Sequence, residues 1–513
     1  MADQQMPEEG SPMLDLRRPR RIHLVGIGGA GMSAIAEVLV AQGHRVSGSD
    51  QAQSPVVQRL GHLGVVVTVG HDAASVGDAE IVSPSTAIPA DNPELVAAHE
   101  RGIPVLRRGQ VLAAIAACRR TIAIAGTHAK TTTTAMLATT LAGCGVRPSY
   151  IVGGLIGGMA TGARWDTGEW LVVEADESDG SFLDLPVEVA VVTSVAPDHL
   201  DHWGDLGALE AAFGTFLAGA RRAIVCADDE PAARIGRRVG AATYGTAEGA
   251  DYRLTDLVLE PAASTFVLVH AGRALGRVRI PAPGRHNALN GAAALAAALE
   301  GGAATTAAVT APDGSSQAVS LEAVSFEAVS FEAVAAALGA YPGVDRRFQV
   351  RGQVGGVTVV DDYAHLPAKV AAAVAAARGG GWRRVVCVFQ PHRYSRTAAL
   401  WRTFATVFDG VDLLVVTDVY GAGEAPRPGI TGKLVVDAVC DARPSQAVAW
   451  LPRRDEVLSF LHSRLRPGDL CLTVGAGDVT TLAGELLGPA GSSPADEPAP
   501  SPPDASSPAG PAR

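Results

Sequence analysis

The stretch IAIAGTHAKTTTTAML, residues 122–137, decides the fold of this chain. A β-branched apolar run ends at Gly126, a lysine and four threonines follow, and an apolar helical pattern then begins. This succession predicts a strand, a phosphate-holding loop and a helix start, where unpaired backbone N–H groups attract anions. The common phosphate-loop pattern G-x-x-x-x-G-K-[ST] fails here twice, because Ile124 and Ala129 stand where it has glycine. An alanine keeps its amide, however. Gly126, Thr127, His128, Ala129, Lys130, Thr131 and Thr132 are therefore read as a cradle for nucleotide phosphates. Lys130 suits the β and γ phosphates, and the Thr131 hydroxyl suits Mg²⁺. With Ala129 at a negative φ, the loop should hold ATP and be stiffened by its alanine.

Outward from this stretch, similar apolar runs recur between alanine-rich helical segments. RIHLVGIG, EWLVVEAD, VAVVTSV, RRAIVCAD, RRVVCVFQ, DLLVVTDV and DLCLTVGAG are examples. Strands alternating with helices predict an α/β protein with largely parallel sheets. A length of 513 residues suits about three domains. The expected breaks give a polar tail at 1–19, a first domain at 20–108, a central one at 109–340, a third at 341–487, and a Pro/Ser/Ala-rich disordered tail at 488–513. Residues 318–338 repeat S-[LF]-E-A-V and read as a solvated low-complexity insertion near 302–330. The six cysteines show no metal spacing, so they read as reduced thiols in a cytoplasmic protein. No apolar run is long enough to span a membrane. The net charge of −11 argues against nucleic-acid binding, and anionic substrates would need local basic pockets.

Two further places carry chemistry. IHLVGIGGAGMSAIAEVLVAQGHRVSGSD contains G-x-G-x-x-G as Gly26, Gly28 and Gly31, and Asp50 ends the next strand, 19 residues after Gly31. Strand, glycine loop and helix in that order suit a nucleotide pyrophosphate, whether of NAD or of a UDP-sugar. In LVVEADESDGSF an apolar run ends in Glu174, Asp176, Glu177 and Asp179, hard oxygen ligands of the type Mg²⁺ takes. VAVVTSVAPDHLDHWGD then sets His199 between Asp198 and Asp201, a candidate ligand at another strand end.

The order GIGGAGMS, GTHAKTTTT, EADESD, PDHLDHWG, PGRHNALN, RRF, DDYAHLP, FQPHRYSRT resembles that of the Mur ligases over residues 20–485. The resemblance implies an N-terminal Rossmann-like domain for a UDP-sugar, a central ATPase domain of P-loop type and a C-terminal Rossmann-like domain. It implies a cytoplasmic ATP-dependent amide ligase, monomeric or homodimeric, that joins L-alanine to the lactyl carboxylate of UDP-N-acetylmuramate through an acyl phosphate. This is a step in peptidoglycan precursor synthesis.

By the same resemblance, Lys130 holds the ATP phosphates, Thr131 and Glu174 bind one Mg²⁺, and His199 binds a second. Asn287, Arg347 and Asp362 serve the adenine, phosphates and ribose of ATP. Gly28, Gly29, Ala30, Gly31, Ser49, Asp50, His71, Ser85, Thr86, Ala87 and Ile88 hold UDP-N-acetylmuramate. Tyr363, His365, His392, Arg393 and Arg396 form the L-alanine side, with Arg393 and Arg396 sharing a helix face. Lys130, Glu174, His199, His365 and Arg393 are the expected catalytic set, and His365 or His392 could accept the proton of the attacking amine.

The sequence departs from the family pattern at Ala129 and at Leu366, where glycine and histidine are usual. A sibling ligase that attaches a recycled peptide to the same UDP-sugar would share most of these motifs. An NAD-dependent oxidoreductase would leave Lys130, Glu174 and His199 unexplained. A catalytically dead binding protein has only Ala129 and Leu366 in its favour.

Overall fold

The computed structural model describes residues 14–159, 161–260, 262–302 and 329–488. Most of the S-[LF]-E-A-V repeat, residues 1–13 of the N-terminal tail and nearly all of the C-terminal tail lie outside them. The described residues form two compact units. One runs to Arg347 and takes in Arg378–Gly381; the other comprises Phe348–Ala377 and continues from Trp382.

The first unit holds two sheets. In the smaller, β1 (Arg21–Val25), β2 (Arg45–Asp50), β3 (Val66–Val69) and β4 (Ile81–Pro84) lie in the order β3-β2-β1-β4, all parallel. The larger has ten strands. These are β5 (Arg120–Ala125), β6 (Ser149–Ile151), β7 (Ala163–Arg164), β8 (Trp170–Glu174), β9 (Val189–Val192), β10 (Arg222–Cys226), β11 (Ala242–Gly245), β12 (Tyr252–Leu259), β13 (Ser264–His270) and β14 (Arg273–Ile280). Their order is β14-β13-β12-β11-β10-β9-β5-β8-β6-β7. The middle of this sheet is parallel, and β13, β14 and β7 add antiparallel edges.

The middle strands are buried on both faces, which explains their unbroken apolar sequences: all four residues of β9 are fully buried. β5 lies between β8 and β9, with Ile124 opposite Glu174 and Ala125 opposite Val192. Three strand ends therefore open together into the crevice where parallel sheets bind ligands. The helix Lys130–Gly143 follows β5 and packs on the alanine-rich helix Arg285–Glu300. The small side chains of that helix allow close approach, and its Ala288 to Ala298 face is almost wholly inaccessible.

The expected break near 340/341 falls seven residues before Phe348, where the second unit begins. The intervening residues are tied to the first unit: Asp345 N donates to Leu155 O, and Gly157 N donates to Gly343 O. The second unit contains β15 (Gln349–Val354), β16 (Val357–Asp362), β17 (Arg384–Phe389), β18 (Leu413–Val416), β19 (Val448–Trp450) and β20 (Asp469–Val474). The order is β15-β16-β20-β17-β18-β19, parallel except for β15.

Candidate active site

Most of the predicted motifs lie at the carboxyl end of a strand; RRF, at 346–348, instead precedes β15. After β5, Gly126 (φ +124°) turns the chain against Thr193 and Ser194. Thr127 N donates to Ser194 O at 2.9 Å, His128 N to Ser194 Oγ at 3.0 Å, and Ala196 N to Thr127 Oγ1 at 2.9 Å. The segment after β9 thus holds the loop that precedes Lys130, a role the sequence reading did not assign to Ser194.

Ala129 precedes the helix at φ +68° and ψ −4°, in the left-handed region. The expected negative φ is therefore overturned. The turn from loop to helix needs a conformation that glycine adopts freely and alanine adopts at a cost. No side chain caps this helix start, so its first amides face the loop with no side-chain partner, as an anion site requires.

Lys130 Nζ lies 2.6 Å from Glu177 Oε2 and 2.8 Å from Gly126 O. Burial works against its charged amine, but the facing carboxylates of Glu177, Asp176 and Glu174 outweigh it and keep the ammonium protonated. Glu177 is fully buried, and its Oε1 has no hydrogen-bond partner among the described residues. Its pairing with Lys130 was missed at the sequence level, although the EADESD motif contains it.

Thr131 Oγ1 donates to Glu174 Oε1 at 3.0 Å, which brings two predicted metal ligands together. Gly153 N donates to Glu174 Oε2 at 2.7 Å, and a Cβ on Gly153 would stand 2.5 Å from that oxygen. His199, at φ +53°, starts the short helix Leu200–Trp203. Ligand atoms of His199, Asp176 and Glu177 lie within 4.8 Å of one another. The carboxylate oxygens, one of them buried without a partner among the described residues, suit Mg²⁺ beside phosphates, and the imidazole of His199 stands beside them.

Arg108 connects this region to the first glycine loop. Its guanidinium lies 3.4 Å from Asp179 and 3.7 Å from Asp176, and a Cβ on Gly31 would meet it at 2.7 Å. No motif singled it out.

In the first sheet, Gly26 (φ +77°) turns the chain after β1 and packs against Ser85 and Ile88. Ile88 N donates to Ser85 O, and Ala87 N reaches Ser85 Oγ, so the turn through Thr86 stands beside the glycine loop. Gly29 precedes the helix Ala30–Ala41 with no side-chain cap, leaving its amides for an anion. Asp50 Oδ2 accepts from Gly28 N at 2.8 Å, so this carboxylate holds the loop's own backbone. Ser49 and His71 meet at 3.1 Å, and both reach the buried Glu94.

Asn287 is buried, donating to Pro283 O and accepting from Asn290. Arg347 is the last residue of its stretch in the first unit. Within the second unit, Asp362 ends β16 and accepts from the amides of Phe348 and Ala364.

Tyr363, His365 and His392 form a ring cluster beyond β16 and β17. Its centroids are 5.4 Å apart for Tyr363–His365 and 5.5 Å for His365–His392, and His392 also stacks on Tyr420. Arg396 donates to His392 Nδ1 at 3.0 Å, so the proton of a neutral His392 ring resides on Nε2. His365 donates its Nδ1–H to Tyr363 O, and burial lowers its pKa to about 3. A ring so reluctant to charge is a weak proton acceptor at neutral pH.

Arg393 does not share a helix face with Arg396. It sits before the helix Tyr394–Leu400 at φ +68°, with its N–H donating to Tyr420 O.

Parallel strand ends that gather a lysine-bearing loop, a hydroxyl beside carboxylates, and a second glycine loop are the arrangement of a nucleotide-dependent phosphoryl-transfer enzyme of the α/β class. Three family models match in succession: the Mur ligase family catalytic domain over residues 21–120, the Mur ligase middle domain over 124–298, and the Mur ligase glutamate ligase domain over 346–477. The chain belongs to the Mur ligase family.

Among its relatives, the UDP-N-acetylmuramate–L-alanine ligase of an Anaeromyxobacter species is 43% identical over 92% of this chain and 98% of its own length. That of Kineococcus radiotolerans is 45% identical over 93% and 98%. The crystal structure of the UDP-N-acetylmuramate–alanine ligase of Thermotoga maritima superposes with a TM-score of 0.74. It is 26% identical and covers 91% of this chain and 98% of that one. A murein peptide ligase from Psychrobacter arcticus shares the fold at 21% identity, with a TM-score of 0.61 and coverage of 91% and 98%. No helix among the described residues is long and apolar enough to cross a membrane.

Proposed function

We propose that this chain forms the amide bond between L-alanine and the lactyl carboxylate of UDP-N-acetylmuramate at the expense of ATP. The observation that carries this reading is the identity of 43% across nearly the whole chain with relatives that bear that activity in their names. The geometry supports the chemistry independently. A carboxylate cannot acylate an amine at neutral pH, because its oxygen is too poor a leaving group. Transfer of the γ-phosphoryl group from ATP to a carboxylate oxygen breaks the bond to ADP and gives an acyl phosphate. The neutral amine then attacks the acyl carbon, the C–O bond breaks, and phosphate leaves with the negative charge.

Lys130 and the uncapped amides of the helix it begins hold the transferring group. Thr131, Glu174 and His199, with Asp176 and Glu177 beside them, would hold Mg²⁺. When bound, Mg²⁺ supplies charge neutralisation among the meeting anions. The glycine loop at Gly28, Gly29, Ala30 and Gly31 takes the diphosphate of the UDP-sugar, and Tyr363, His365, His392, Arg393 and Arg396 bind the amino acid. His365 serves to shape and line that side, and the proton of the amine leaves to solvent or to phosphate.

The test is phosphate release with ATP, Mg²⁺ and UDP-N-acetylmuramate, with L-alanine, glycine, L-serine or a tripeptide as the amine. L-alanine should give the highest kcat/KM. Turnover with the tripeptide alone would assign the peptide-recycling reaction instead.

A further inference from the structure

Beneath the first glycine loop lies a carboxylate that no motif marks. Glu94 is the second residue of the helix Pro93–Glu100 and is fully buried. Its Oε2 accepts from His23 Nε2 at 2.6 Å and from Ser49 Oγ at 2.8 Å, and its Oε1 faces His71 Nδ1 at 2.8 Å. His23 is itself fixed, with Nδ1 against Ser47 Oγ at 2.9 Å. Burial alone would raise the Glu94 carboxyl, yet the hydrogen bonds from His23, Ser49 and His71 hold it below the usual range, so it is ionised. Ser49 also carries the loop, because its carbonyl accepts from Gly26 N and Ile27 N. The Nε2 of His71 is buried with no partner among the described residues. The neighbouring Asp72 carboxylate is turned away onto Ala74 N.

We propose that Glu94 is a positioning residue for the UDP-sugar: it fixes the Nδ1–H of His71, leaves Nε2 to accept a hydrogen bond from the ligand, and anchors Ser49 under the glycine loop. This rests on the ligase reading above. A buried carboxylate serving two imidazoles and the hydroxyl of a loop-bearing serine does more than fill a core, since an apolar residue would do that without the desolvation cost. With Nδ1–H committed to Glu94, the lone pair of Nε2 is left to accept from a hydroxyl or N–H of the ligand. Glu94 orients that ring much as a carboxylate orients a histidine behind a metal.

Calorimetric titration of the full chain with UDP-N-acetylmuramate and with UDP alone, for wild type and Glu94→Gln, tests this. Affinity for both ligands should fall at least tenfold, kcat at saturation should stay within twofold, and KM for ATP should not move. Unchanged affinity overturns the role. So does a loss of kcat that follows the folded fraction while affinity is kept. Should Glu94→Gln not fold, ring-nitrogen NMR of the wild type decides. His71 should show an Nδ1–H in the free protein, and a free ring protonated on Nε2 alone refutes the proposal. Wild type that neither binds nor turns over UDP-N-acetylmuramate fails the ligase reading, whereas wild-type binding with unaltered Glu94→Gln affinity removes only Glu94.

Discussion

Replacing Ala129 by glycine should make the protein more stable, although glycine inside a helix weakens it. The backbone of Ala129 has φ +68° and ψ −4°. An L-residue held there costs about 1–2 kcal/mol, because Cβ crowds the following carbonyl. Glycine removes that cost but loses about 0.4–1 kcal/mol through its greater freedom in the unfolded chain. The capping balance shifts in the same direction, since alanine makes no side-chain cap here and glycine is the better N-cap residue. The net gain is about 0.5–1 kcal/mol, or a rise in Tm of about 1–3 °C for a unit of this size. Thermal unfolding without ligand should show it, with Ala129→Val as the counterpart. A β-branched residue at positive φ is an outlier, so valine should lower Tm by more than glycine raises it. Turnover of Ala129→Gly should stay within about tenfold of wild type, about 1.4 kcal/mol of barrier, because the amides that face phosphate are unchanged. A lower Tm for Ala129→Gly, or no loss for Ala129→Val, would refute the left-handed conformation. If wild type were inert and glycine restored activity, the loop of the natural chain would be damaged.

Three other changes follow from the same geometry. Glu177→Gln strips the carboxylate from Lys130 and should cost about 3 kcal/mol of stability at pH 8 and at least tenfold in turnover; denaturant melts and steady-state rates read both. Because the carboxylates raise the pKa of Lys130, the pair's stabilisation is present below the unfolded value near 10.4 and lost above it, so wild type and variant should converge in melts at the alkaline end. Gly153→Ala would push a methyl to within 2.5 Å of Glu174 Oε2, displacing a proposed metal ligand. It should lower stability by about 1–3 kcal/mol and raise the Mg²⁺ concentration needed for half-maximal rate, and an unchanged Mg²⁺ dependence would clear Glu174. His365, lowered to about 3, contributes stability that is present above the unfolded pKa near 6.5 and is lost as pH falls, about 2 kcal/mol by pH 5. His365→Gln should flatten that decline in pH-dependent melts and keep measurable turnover at neutral pH; complete loss of kcat with an intact fold would restore it as the base.

What could be read from the sequence, and what could not, divides along a physical line. Alternating apolar runs and helical segments announced the α/β architecture because burial on both faces of a parallel sheet demands them. Motifs whose side-chain chemistry is explicit were equally legible: Lys130 after a strand, Glu174 at the end of another, three glycines before a helix. The errors concern backbone angles and partners. Ala129 and Arg393 both sit at φ +68°. Each was read from residue type as the beginning of a regular helix, yet the turn out of a parallel strand imposes the angle from outside, through Thr193 and Ser194 in one case and Tyr420 O in the other. Glu94 and Arg108 were passed over, and the pairing of Glu177 with Lys130 was missed, for a related reason. A carboxylate in a helix's first turn, or one of four in an acidic run, has no local mark of being buried. Glu177 lies 47 positions from Lys130, and Glu94 lies 71 from His23. Both carboxylates are wholly withdrawn from water, where an unpaired charge would cost far more than its pairing returns. Their functional weight comes from what the fold places opposite them, and that is why substitutions at these unmarked positions test the site more sharply than further changes at Lys130.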